Sequence, residues 1–222
     1  MTETAQDSVK AALRHVVGPY LRAEGFRGSG KTWRLHAPNG DVAVVNVQSS
    51  SWSSREELRC VINLAVVPLP WWEWSKAWAR GAVPVQPAES WGLFRTRLHP
   101  SATGPVGDNW WLVCDAADAQ AVASDMVQQL RANGVPTLRR LLERDAMLVA
   151  VRAGELGEIR GEQYRRYFDR ALAVLLTGAG PSEELEALLG RMEAEATSDE
   201  LFRPSTPAFV AWVRQNVLAD GP

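Results

Sequence analysis

Residues 25–48 read GFRGSGKTWRLHAPNGDVAVVNVQ, and the first eight of them satisfy the phosphate-loop pattern G-x-x-x-x-G-K-[ST]. What flanks the pattern decides how to read it. A phosphate loop is delivered by a buried strand and opens a helix at its Lys-Ser/Thr end, whose N–H groups and dipole face the anion. Here the order is reversed. Val9, Leu13, Val16, Val17, Tyr20 and Leu21 recur at steps of three and four, which predicts a helix over residues 8–24, ahead of the glycines. Pro19 is expected to kink or divide that helix, because its ring removes a backbone donor and crowds the preceding turn. Gly25 then caps the helix, Phe26 enters the core, and residues 27–30 form a flexible turn. TWRLH follows as a strand, and Asn39-Gly40 between apolar runs is a strong hairpin signal. With no helix opening at Lys31, the pattern is read as a turn, and nucleotide binding is not expected.

Working outward, a serine-rich loop, SSSWSS, leads to a third strand over residues 57–67. Residues 91–98 and 110–114 are the fourth and fifth strands, separated from the third by the Pro- and Trp-rich PLPWWEWSKAWARGAVPVQP. From Asp115 the pattern is helical. One helix stops at Gly134 and Pro136, another follows, and Gly-containing RAGELGEIRG leads into three more. Gly178 and Gly180 close the first of these, Ser182 opens the second, and Thr206-Pro207 opens the last. The expected class is α+β: an N-terminal helix, an antiparallel sheet of about five strands, then several helices. A soft boundary divides an α+β domain, residues 1–152, from a helical extension packed on it, residues 153–222.

The order of elements resembles the domain of unknown function 4304 family. Gly25-Phe26, Trp33, residues 46–48, Trp52 and Ile62-Asn63-Leu64 carry the likeness, which extends through Trp110-Trp111 to cover roughly residues 5–145. The resemblance implies the fold just described and a bacterial, cytoplasmic setting. It implies no reaction, and it leaves the helical tail outside.

Bulk properties narrow the classes further. A net charge of −2 over 222 residues argues against a broad electrostatic grip on nucleic acid. Residues 181–200 carry seven acids against Arg191, the composition of a solvated helical face. No apolar run is long enough to span a membrane, and MTETAQDSVK has no secretory pattern. Cys60 and Cys114 sit in apolar runs and are expected to be buried, reduced thiols. His15, His36 and His99 lack partners at metal-ligand spacing, so no metal or other cofactor is expected.

Two sets of residues remain as binding candidates. In the second strand Asn46 and Gln48 share a face, as do Arg59 and Asn63 in the third. The register that matches these faces brings all four together. Such a set offers directional hydrogen bonds to a peptide or an anion, or it is a solvated sheet face or a satisfied network under a covering helix. Tryptophan is over-represented, with ten against five Phe and three Tyr. Trp71, Trp72 and Trp74 crowd one short segment, as core or as a contact surface. Trp52, alone among serines, is the best candidate for an exposed contact. The expected function is non-catalytic recognition of a protein or peptide. An enzyme or small-molecule binder with a pocket between sheet and helices is the alternative.

Overall fold

The computed structural model describes residues 4–102, 109–197 and 205–217. It is α+β, as the element order predicts. Helix α1 (Ala5–Ala12), a π-helical turn (Leu13–Val17) and α2 (Gly18–Ala23) form one continuous helical run. Its C-terminus is closed by Gly25 at φ 87°, with Phe26 N–H donating to Leu21 O (2.9 Å) and Gly25 N–H to Arg22 O (3.0 Å). This is the paired-bond cap that needs a left-handed residue, hence glycine. Phe26 is wholly buried beyond it.

Six strands follow in one antiparallel sheet: β1 (Arg27–Ser29), β2 (Thr32–His36), β3 (Val42–Ser49), β4 (Leu58–Val67), β5 (Phe94–Leu98) and β6 (Trp111–Val113). The order is β1-β2-β3-β4-β5, with β6 also pairing β4, beyond the end of β5. Residues 27–29, expected to be part of a turn, are instead an edge strand paired Ser29↔Thr32 around a two-residue hairpin, with Gly30 at φ 66°. The fourth strand is shorter than predicted, because Glu89–Trp91 form a 3-10 turn before it.

Helix α4 (Ala116–Gln129) does not stop at Gly134. It passes through a second π turn (Leu130–Gly134) into α5 (Val135–Leu142). The two π turns share one cause. Each is closed by an i→i−5 bond from the residue just before a proline, Gly18 N–H to Leu13 O and Val135 N–H to Leu130 O, with Pro19 and Pro136 next. A proline ring clashes with the carbonyl four residues back, and the wider π turn makes room for the ring. Proline thus widens these helices where a break was expected.

The remaining elements are α3 (Leu69–Trp78), α6 (Arg144–Arg152), a small hairpin of β7 (Glu155–Leu156) and β8 (Ile159–Arg160), α7 (Arg165–Leu176), α8 (Glu183–Thr197) and α9 (Thr206–Asn216). The α1–α2 run and α4–α5 lie on one face of the sheet, where Gly134 sits against Leu98 and Leu64. On the other face α3 and residues 87–92 cover one half: Gly92 packs on Ala65, and Arg34 Nε donates to Pro87 O (2.7 Å). A single core runs from Ala5 to Val213 through both the sheet and the C-terminal helices. Cys60 is in that core, where burial pushes its thiol up to about 12. Cys114 is exposed, contrary to expectation, because it lies just past the end of β6.

Sheet and tail are also joined through backbone. Gly157, at φ 78°, bridges Arg95, and Glu158 N–H donates to Arg95 O (2.7 Å). A Cβ at Gly157 would run into that carbonyl. Gly157→Ala is therefore expected to lower stability by about 2–3 kcal/mol, read as a shift of the urea midpoint. An unchanged midpoint would mean that the tail does not depend on this bridge.

Candidate functional site

The half of the sheet face that α3 leaves uncovered is polar, and the register explains how. Thr32, Asn46, Asn63 and Arg97 form one cross-strand row, one residue from each of β2, β3, β4 and β5. Gln48 and Val61 form the next row, and Arg59 stands opposite Leu112 beyond it. Asn46, Gln48, Arg59 and Asn63 thus share a face, in the register predicted from period-two alternation.

The groups are wired together. Asn63, only 3% exposed, donates from Nδ2 to Gln48 Oε1 (2.7 Å) and accepts from Arg97 Nε (2.9 Å). Arg97 also faces Glu158 at 3.7 Å. Asn46 Nδ2 donates to Thr32 Oγ1 (2.9 Å), and Arg59 Nε to Glu57 Oε1 (2.7 Å). A buried amide with both ends bonded fixes the exposed groups around it, which costs little because no donor is orphaned.

Trp52 stands in the β3–β4 loop, which joins the strand of Gln48 to that of Arg59, and is 86% exposed. The serines around it explain how an indole is held in water. Trp52 N–H donates to Ser50 Oγ (3.1 Å), Arg59 N–H to Ser53 Oγ (3.0 Å), and Glu57 N–H to Ser54 Oγ (3.0 Å). Each is a local side-chain turn that shapes the loop without burying it. Leu112, 45% exposed on the same face as Arg59, adds a second apolar group.

The Trp-rich segment is placed elsewhere. It forms α3, with Trp71 and Trp72 only 5% and 7% exposed. Trp71 packs on Trp74 with the rings tilted (4.7 Å between ring centres) and meets Tyr167 edge-on (5.3 Å), while Trp74 meets Phe209 (5.8 Å) and Trp72 meets Trp91 (5.1 Å). These indoles join α3 to α7, α9 and residues 89–91.

Sequence reasoning missed Arg97, Thr32 and Leu112. The alternation in FRTRL and WLV marks Arg97 and Leu112 as a shared outward face, but only the pairing of β5 and β6 with β4 places them beside Asn63 and Arg59.

The GFRGSGKT segment is not built as a phosphate loop. A helix ends at it and a strand leaves it, and Lys31 Nζ donates to Ser49 Oγ at 2.7 Å. No group of three or more His, Cys, Asp or Glu that could hold a metal ion occurs among the described residues. Among those residues no helix is long and apolar enough to cross a membrane.

The helix-capped GF turn, the β2–β3 hairpin and the Asn-bearing strand pair are the features that carried the family likeness, and a family model described as a domain of unknown function (DUF4304) matches residues 17–140, more than half of the chain. The chain belongs to the DUF4304 family. The DUF4304 match holds the whole sheet, α3 and nearly all of α5, and ends before α6. Neither the search of curated proteins nor that of solved structures found a match.

Proposed function

We propose that this chain is a non-catalytic recognition protein that binds a protein or peptide partner, acting in the cytoplasm, through Trp52 and the polar face formed by Asn46, Gln48, Arg59 and Asn63. The observation that carries the reading is the exposure of Trp52 on the loop that joins two strands of a prearranged hydrogen-bonding row. A large indole left in water by an ordered loop costs solvation, and a partner that covers it removes roughly 150–250 Å² of surface. The bonded amides and Leu112 around it supply the directional and apolar rim that such contacts use. Trp71 and Trp72 are left out of the surface, since their rings are spent on the interior.

Trp52→Ala is expected to leave the melting temperature unchanged and to weaken the partner complex by at least about 30-fold, the scale of an indole hot spot. Gln48→Ala is expected to weaken it less, since only one end of the amide row is lost. The check is capture from a native lysate followed by titration of the purified partner against both variants. A partner that binds both variants as tightly as it binds the parent chain would refute the proposal.

A further inference from the structure

A second site lies on the opposite side of the sheet. A groove of about 530 Å³ opens between the α1–α2 run and the β1–β2 hairpin, lined among others by Lys10, Arg14, Gly18, Arg22, Ser29 and Trp33. The volume is that of a small-molecule site. Its charge has one sign, since no acid lines it. Arg14 and Arg22 have no ion-pair or hydrogen-bond partner among the described residues, and Lys10 has only Asp7 at 3.4 Å, at an exposed position.

The basic residues fall every fourth position, at 10, 14 and 22, with Gly18 in the gap. In an ideal α-helix such a stripe drifts by about 40° per step. The wide turn at Leu13–Val17 slows that drift and keeps the stripe facing the hairpin. Gly18 has a direct part in this. A Cβ there would lie 3.1 Å from the Arg22 guanidinium, so the missing side chain leaves room for Arg22 to fold back over the helix.

The other wall holds an unexplained donor. Trp33 is 1% exposed, it lines this groove, and its Nε1 is buried with no hydrogen-bond partner. Buried indole N–H groups are ordinarily paired. Two unpaired guanidinium groups match a dianionic oxyanion better than a single carboxylate.

We propose that this groove binds a small phosphate-bearing molecule, its oxyanion held by Arg14 and Arg22 with Lys10 beside them, and the rest of the molecule lying against the Trp33 side of the groove. The site takes the form of a pocket between sheet and helices. It owes nothing to phosphate-loop geometry, since the cations come from the preceding helix and Lys31 is bonded elsewhere.

The probes are inorganic phosphate and a nucleoside monophosphate, each added to the whole chain at fixed ionic strength with chloride as the control. At millimolar concentration they are expected to raise the melting temperature by a few degrees over chloride. Arg14→Ala and Arg22→Ala, both at exposed positions, are each expected to weaken binding at least tenfold, while Arg140→Ala does not. In an amide-proton NMR titration the Trp33 indole resonance, assigned by its loss in Trp33→Phe, is expected to shift with the monophosphate. Inorganic phosphate is expected to act through the arginines alone. A stabilisation equalled by chloride, one that survives both arginine variants, or an unmoved Trp33 resonance would each overturn the site.

Discussion

Asp41→Ala will lower the stability of the chain by about 3–5 kcal/mol, the largest loss expected from a single polar position. Asp41 is wholly buried at the end of the β2–β3 turn. One carboxylate oxygen accepts from Leu69 N–H (2.8 Å) at the start of α3, and from Arg144 Nη2 (2.5 Å) at the start of α6. The other faces Asn39 Nδ2 at 3.3 Å, and Asn39 Nδ2 also donates to Leu142 O (3.1 Å). Three segments far apart in sequence are thus tied at one carboxylate. Removing it leaves the Arg144 guanidinium, already with one buried nitrogen unpartnered, without its counter-charge. Asp41→Asn keeps an oxygen for the Leu69 amide and should cost less. Chemical unfolding of the two variants measures both, and equal losses would show that the charge does not matter.

The same pair carries a pH signature. Burial raises the Asp41 pKa above its ordinary 3.8, against the pull of Arg144, the Leu69 amide and Asn39. Burial likewise lowers that of Arg144. A carboxyl whose folded pKa is raised binds its proton more tightly in the folded chain. Its contribution is complete below 3.8 and is lost as the pH rises through the folded value. Arg144→Met removes the main force holding that value down. The deficit of Arg144→Met relative to the parent chain should therefore shrink as the pH falls from 7 towards 4. A deficit that is flat with pH would exclude ionised Asp41 as its source.

Trp71→Ala is expected to cost about 3–5 kcal/mol, a core truncation rather than the loss of a contact surface. The indole fills the seam between α3 and α7, against Trp74 and Tyr167. Loss of that ring leaves a void that the two helices cannot close without moving. Thermal unfolding of Trp71→Ala beside Trp52→Ala separates the two kinds of tryptophan. The first should unfold many degrees lower and the second should not move. A stable Trp71→Ala variant would return the segment to the surface.

Much of this was legible in the sequence because it is local. Gly25-Phe26 announces a helix end, Asn39-Gly40 a hairpin, and the alternation of VNVQ and RCVIN brings Asn46, Gln48, Arg59 and Asn63 to one face. Cys114 was legible too, since the same alternation along WWLVC turns it outward, but an apolar run conceals a period of two. Other features depend on partners distant in sequence. The edge strand at RGS has two small residues and exists only because β2 offers it a ladder. Pro19 and Pro136 break helices by propensity, yet surrounding packing keeps both helices going and the backbone yields by one wider turn. Indoles at 71 and 74 do not say which helix will cover them, and here the cover comes from residues 167 and 209, beyond the family match.

That arrangement constrains how the family can vary. In this chain the roof over helix α3 is provided by Tyr167 and Phe209. A relative that ended near residue 140 would have to replace the indoles at positions 71 and 74 with water-tolerant side chains, or recruit another segment to shelter them. The tail is therefore less an addition to an independent module than the second half of a lock whose first half lies inside the family sequence.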